Sequence, residues 1–433
     1  MSAMPPAATA PYLQGIAQNS QQFALQTAQV FFVGLLIGME RNVLPTMRQD
    51  FGLGSHAFFF LASFVISFGL VKGMLNFVAG DLSDRVGRKR VLFLGWLAGI
   101  PIPLLIFFAP NWWWIIAANV FLGVNQAFTW TMTVTSQIDL AGSRQRGLAV
   151  GINEAMGYIA VGLAGLGTGY LAVLYGPRWA ILGFALLVIA LALLVLIGVR
   201  DTLPWAQAEH QEQNGSHPLH PDSARAQSES RWQSFVRVSF RDHTYRALCQ
   251  GGVANKIADT LVWVMLPVYF RFHGEGVVQI GWITGSYAMI WGLCQFWTGH
   301  LADRVGRKVP ILSGFLLLTL GLLGIALVHH FAAWMLAAAV MGLGMALLYP
   351  NLIAAMADVA PAAVRGKTLG IYRYWRDTGY AIGGLLLGGA AQWADAVLPT
   401  IWLTAGVTAV SAIWIALAVE ETHPISWCQG AGE

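Results

Sequence analysis

The stretch Gly80-Asp81-Leu82-Ser83-Asp84-Arg85-Val86-Gly87-Arg88-Lys89 lies between two long apolar runs. It returns as Gly299-His300-Leu301-Ala302-Asp303-Arg304-Val305-Gly306-Arg307-Lys308, matching at eight of ten positions, 219 residues further along a chain of 433. A charged turn recurring at half-length between hydrophobic segments points to an internally duplicated membrane protein, a build shared by many transporters. A second echo agrees. Arg146-Gly147 leads through Gly151-Ile152 to Gly157-Tyr158, and Arg365-Gly366 leads through Gly370-Ile371 to Gly379-Tyr380, with three extra residues between.

Composition supports this reading. Apolar residues make up 56% of the chain and charged residues only 11%, against roughly 25% charged in soluble domains. Apolar runs of about 20 residues recur, long enough to cross a bilayer as helices. Strict alternation of the kind a barrel strand needs is absent, so helices must satisfy the backbone within hydrocarbon. The spacing predicts twelve spans: 24–47, 56–79, 90–109, 112–135, 146–172, 177–199, 245–270, 277–299, 308–328, 331–357, 365–391 and 397–419. The fold class is therefore an all-α polytopic membrane protein, with twelve transmembrane helices in two pseudo-symmetric six-helix bundles.

Lys and Arg set the orientation. One group of connections holds Arg85, Arg88, Lys89, Arg90, Arg144, Arg146, Arg304, Arg307, Lys308, Arg365 and Lys367, while the opposite group holds only Arg48, Arg178 and Arg271. The positive-inside rule makes the first group cytoplasmic, and an even number of spans places both termini there too. This gives a multi-pass protein of a bacterial-type inner or plasma membrane. It is divided into an N-terminal tail (1–23), a first bundle (24–199), a cytoplasmic linker (200–244), a second bundle (245–419) and a C-terminal tail (420–433). Residues 1–22 read as a short disordered tail. The Gln/His/Ser/Pro-rich linker reads as an unstructured connector, or as carrying a surface helix near Trp232–Arg241. The net charge of +4 needs no nucleic acid to explain it. Cys249, Cys294 and Cys428 form no disulfide or metal-ligand pattern, so no metal or cofactor is expected.

Two six-span halves, a central loop and G-x-L-x-D-R-x-G-R-K in both halves together resemble the major facilitator superfamily, over essentially the whole chain. The resemblance implies a secondary transporter that rocks its halves about a central site, in which the motif latches the halves in the outward-facing state. The carried-over positions are Gly80, Asp84, Arg85, Gly87, Arg88 and Lys89, with Gly299, Asp303, Arg304, Gly306, Arg307 and Lys308. The drug–proton antiporters of that superfamily carry an Arg in span four, four residues before a Gly. Here the same place reads Asn119-Val120-Phe121-Leu122-Gly123. Their span-five Gly-Pro is missing as well.

Ionisable side chains inside spans are expensive and point to function. They are Glu40, Arg41, Lys72, Glu154, Lys256, Asp259, Arg373, Arg376 and Asp377. Lys256 and Asp259 are three residues apart and Arg373 and Asp377 four, so each pair is expected to meet on one helix face. Asp259, Arg376 and Asp377 fall near the midplane, Lys72 and Glu154 nearer the cytoplasm, and Glu40 and Arg41 nearer the outside. Arg373 and Arg376 are the expected substrate contacts, with Arg41 or Lys256 as a further cation and Trp375 and Tyr380 as aromatic neighbours. A guanidinium can grip a carboxylate or phosphate bidentately.

Proton coupling calls for a carboxylate that alternates between wet and dry surroundings. Glu154, with no cation in helical reach, is the first candidate and Asp259 the second; Asp377 and Glu40 complete the set. Structural ion pairing is the alternative use for all of these groups. Tyr349-Pro350-Asn351 is expected to interrupt span ten and give a flexing point.

The partners expected are a small organic solute (anionic or zwitterionic), protons and the lipid bilayer, with the chain acting as a monomer. Export by proton antiport and uptake by proton symport both fit, with the balance toward export. A receptor on the same fold would be expected to carry a sizeable extra domain, which the linker does not supply. An enzyme would need a catalytic set that the spans lack. No G-x-x-x-x-G-K-[ST] loop is present to use ATP.

Overall fold

The computed structural model describes residues 12–142, 145–214, 230–360 and 364–422. Cys428, residues 1–11 and 423–433 of the expected tails, residues 215–229 of the linker, and the surroundings of Gly299 and Asp303 lie outside the described residues. Twelve long helices account for the spans: α1 (Ser20–Arg41), α2 (Phe58–Val86), α3 (Arg88–Phe107), α4 (Trp112–Ala141), α5 (Arg146–Tyr175), α6 (Pro177–Gly198), α7 (His243–Phe272), α8 (Val277–Val305), α9 (Lys308–Leu327), α10 (Phe331–Val359), α11 (Arg365–Ala394) and α12 (Leu398–Ala418). Among the described residues, ten are long and apolar enough, with few enough charges, to cross a membrane. The other two, α4 and α11, carry the polar residues they bury, among them Asn119, Asn125, Gln126, Arg376 and Asp377. The outward surface is apolar, with Ile197, Val173, Trp393 and Leu417 all exposed, as lipid requires.

Local chemistry sets the ends. Asn111 caps α4 by accepting from Trp113 N at 3.2 Å, and Asp242 caps α7 by accepting from Tyr245 N at 3.0 Å. Gly87 and Gly306 turn the repeated motif at φ values of 95° and 87°, a region open to glycine and costly for other residues.

Several boundaries differ from expectation. Helix α1 stops at Arg41 and the chain continues as a 3₁₀ helix, Leu44–Phe51, with Pro45 near its start. Helix α4 runs six residues further than expected, to Ala141. Residues 12–19 are not a loose tail: Gly15 N donates to Leu140 O at 2.9 Å, and the Tyr12 ring lies 4.7 Å from that of Trp205. Pro350 does not interrupt α10. A proline cannot donate to the carbonyl four residues back, and here Thr298 Oγ1 donates to that carbonyl, Ala346 O, at 2.8 Å. The linker carries a helix at Leu203–Asn214 and a turn of helix at Arg231–Val236 that continues as a π turn through Arg241.

The halves meet along two seams, α2 against α11 and α5 against α8. At Gly292 an added Cβ would lie under 3 Å from backbone atoms of Ala155 and Ile159, so only glycine allows the approach seen there. Gly384 is crowded by the side chain of Ile66, 2.5 Å from where a Cβ would stand. The seams close away from the motif. Toward the motif end, Gly147, Gly151, Gly366 and Gly370 have nothing within 4 Å of where a Cβ would stand. The hydrogen bonds joining described residues of the two halves run from His56–Asp395 at the far end, through Asn42–Thr284 and Arg41–Asp259, to Asn76–Asp377 at mid-depth. Among the described residues, the halves are joined at the end opposite the motif and stand apart at Gly147, Gly151, Gly366 and Gly370.

Candidate functional site

Two linked polar clusters occupy the centre. The first surrounds Asp259, which is fully buried on α7 immediately before a π turn, Leu261–Met265. Such turns displace a helix face and often mark sites. Arg41 Nη1 reaches Asp259 Oδ1 from α1 at 2.9 Å, Lys256 Nζ approaches Oδ2 at 3.4 Å, Tyr380 OH donates at 2.5 Å and Tyr287 OH at 3.4 Å. Four donors offset the cost of drying one carboxylate. The Lys256 ammonium also sits about 5–6 Å from the ring centroids of Tyr158, Trp291, Tyr349 and Tyr380, within cation–π range. It donates to Tyr158 OH at 3.1 Å.

The second cluster surrounds Asp377 on α11. Arg376 holds both of its oxygens, at 2.7 and 2.9 Å, and donates to Tyr349 OH at 2.9 Å. Asn76 on α2 donates to the same carboxylate and accepts from Thr131 at 3.1 Å. Beside it opens a cavity walled by Lys72, Trp130, Glu154, Tyr158, Lys256, Arg373, Arg376 and Asp377 among others. Glu154 accepts from Trp130 Nε1 at 2.9 Å, and its other oxygen has no hydrogen bond. Among the described residues, Lys72 and Arg373 make no ion pair; Lys72 lies instead among the rings of Phe68, Trp130 and Tyr380.

At the motif end the two halves are built alike. Arg88 Nε bonds Asp139 at 3.3 Å, as Arg307 Nε bonds Asp358 at 3.2 Å. Asp201 accepts from the backbone N–H groups of Arg88 and Lys89, and Glu421 from those of Arg307 and Lys308. Lys89 reaches Ile197 O and Lys308 reaches Ala416 O. Each helix N-terminus thus receives a carboxylate and each helix C-terminus a lysine, as the helix dipole favours. Asp84 pairs with Arg88 at 2.5 Å, while Arg85 and Arg304 are exposed.

Residues 28–269 and 248–433 match the Major Facilitator Superfamily. The chain belongs to the major facilitator superfamily. Among its relatives, the galactose-proton symporter of Escherichia coli (strain K12) is 26% identical over 313 residues, covering 67% of this chain and 65% of that protein. The quinolone resistance protein NorA of Staphylococcus aureus (strain MRSA252) is 27% identical over 123 residues, covering 28% of this chain and 32% of that protein. Each match therefore spans less than two thirds of the relative's length.

Within this superfamily fold, the residues singled out from sequence divide. Lys256, Arg373, Arg376, Glu154 and Asp377 come together around the cavity. Arg41 and Tyr380 do not wall it; both are engaged with Asp259 instead. Arg41 ends α1 and reaches the level of Asp259, deeper than its sequence position suggested. Asp377 pairs with Arg376 rather than with Arg373 four residues back, because Arg376 can hold both oxygens. Trp375 faces away: its indole donates to Ser239 Oγ at 2.8 Å and its ring stacks on Phe235 of the linker. One residue is about 100° of helix rotation, enough to carry it off the 373/376/380 face. Glu40 is fully buried beside Asn119 with neither oxygen hydrogen-bonded, outside the cavity. Sequence reasoning passed over Asn76, Asp139, Asp201, Asp358 and Glu421. The 219-residue displacement relates Asp139 to Asp358 and could have found that pair.

Proposed function

We infer that this protein is a secondary active transporter for a small anionic or zwitterionic solute, exchanged against protons by alternating access, with the motif end in the cytoplasm. The observation that carries this reading is the charge of the cavity. Lys72, Lys256, Arg373 and Arg376 face it with only Glu154 and Asp377 opposing them. Arg376 is spent on Asp377 and Lys256 leans on Asp259. Lys72 and Arg373 remain to bind a negatively charged group, and the aromatic walls of Trp130, Tyr158 and Tyr349 suit an organic body.

Glu154 is the proton carrier in this reading. It lies beside the unpaired cations, holds one indole hydrogen bond, and can gain or lose its proton as water enters and leaves the cavity. With the motif end in the cytoplasm, the open space at Gly147, Gly151, Gly366 and Gly370 supports a cytoplasm-facing conformation, from which an export substrate would load. Uptake by proton symport is the second reading, supported by the longer match, to a galactose-proton symporter.

The test is flux in proteoliposomes containing a pH-sensitive dye, with a panel of organic anions, zwitterions and cations, for wild type and Glu154→Gln. An anion that moves protons in the wild type alone supports the reading, and the sign of the pH change separates antiport from symport. Coupling that survives in Glu154→Gln removes Glu154 from the role. A substrate confined to cations overturns the charge argument.

A further inference from the structure

A second, small cavity lies on the sealed side of the Arg41–Asp259 pair, walled by Arg41, Asn42, Val161, Gly165, Trp263, Thr284 and Tyr287 among others. Two hydrogen-bond donors on its walls are unused. Arg41 Nε and Trp263 Nε1 are buried and have no acceptor, although Arg41 is only 7% and Trp263 0% exposed. The guanidinium carbon lies 4.6 Å from the Trp263 ring centroid, so the two side chains that carry these donors pack against each other. A buried N–H without a partner costs about 1–3 kcal/mol, and two of them beside one cavity mark a place for an electron-rich group. No wall residue named here is acidic, and the other side of Arg41 is already bound to Asp259.

We propose that this outer cavity is an anion subsite, in which one electronegative group, a halide or a carboxylate oxygen of the transported solute, accepts from Arg41 Nε and Trp263 Nε1. The proposal rests on the anion reading given above and adds a second station to it. Its consequence for the cycle follows from charge. An anion at this station competes with Asp259 for Arg41, and Asp259 keeps Lys256, Tyr380 and Tyr287 as donors when Arg41 turns away. Arrival of an anion from the sealed side therefore loosens the pair that joins the halves.

Crystals of the full chain soaked in sodium bromide test it by anomalous scattering. The expected result is a bromide peak within hydrogen-bonding distance of both nitrogens, lost in Trp263→Phe and in Arg41→Lys, while a peak beside Lys72 and Arg373 persists. Displacement of the outer peak by the transported anion assigns the station to the solute; retention of the peak assigns it to inorganic halide. A peak at the inner cavity with none at the outer one overturns the subsite and leaves the anion reading standing. Absence of both overturns the two together.

Discussion

Replacing Arg41 with Gln should open the sealed end, and the size of the effect can be worked from its contacts. Two ion pairs join described residues of opposite halves. The His56–Asp395 pair is more than half exposed on both sides and contributes little. The Arg41–Asp259 pair is dry, at 2.9 Å with side-chain exposures of 8% and 0%. Breaking a buried pair costs about 3–5 kcal/mol when it leaves a bare charge. Here Asp259 keeps Lys256 and two tyrosines, so a loss of about 2 kcal/mol is the better figure. The contact exists only while the halves meet at this end, so the whole loss falls on the sealed state. That moves the ratio of states by about 30-fold. Asp259→Asn removes the same cross-half pair and leaves the buried Arg41 charge uncompensated, at a cost of about 3–5 kcal/mol to the sealed state, and should shift the ratio by more than about 100-fold. Spin labels at Trp113 and Trp393, exposed at 65% and 91% on opposite halves, report the opening as a longer distance in double electron–electron resonance. A folded Arg41→Gln protein with the wild-type distance distribution would refute the argument that this pair closes the seam.

The seam itself offers a steric counterpart: Gly292→Val must displace the Ala155–Ile159 backbone and should shift the same label pair outward by about 1–3 kcal/mol of overpacking, whereas Gly370→Val, in open space, should not. Lys72→Gln and Arg373→Gln should each raise KM for an anionic substrate about tenfold, the loss of one charge-assisted hydrogen bond, in flux assays where an unchanged KM would count against the cavity as the binding site. Asp201→Ala and Glu421→Ala should lower thermal stability, each removing a cap worth about 0.5–2 kcal/mol, with equal losses in the two halves. Trp375→Ala should leave KM unchanged and raise protease cleavage of the linker, because its indole holds Ser239.

The fold was legible because bilayer physics restricts it: long apolar runs, a basic end and a repeated turn leave few alternatives. Hydropathy falters at α4 and α11, in part because buried polar residues such as Asn119, Asn125, Gln126, Arg376 and Asp377 lower their apolarity. The site was legible as a set of helices and less so as a set of contacts. Helical spacing brought Lys256 to Asp259 but could not foresee that Arg41, on another helix, would come closer. Trp375 was misplaced because proximity in sequence to Arg376 says nothing about face. Asp201 and Glu421 escaped notice because each lies beyond the last span of its half and meets its partner only after six helices have packed.

The duplication separates these cases. At the motif end the repeats kept both position and chemistry: Arg88 with Asp139 recurs as Arg307 with Asp358, and Asp201 recurs as Glu421. Around the cavity they kept position and changed chemistry at the charged residues. Displacement by 219 residues carries Lys72 to Trp291 and Trp130 to Tyr349, and the three extra residues in the second half carry Glu154 to Arg376 and Tyr158 to Tyr380. A scaffold that must hinge the same way in both halves needs the same braces twice. A site that must distinguish one end of a solute from the other cannot be symmetric. Charged positions at which the repeats agree therefore fit a bracing role and those at which they diverge fit a ligand-facing one, a division that groups Lys72, Glu154 and Arg376 as candidates.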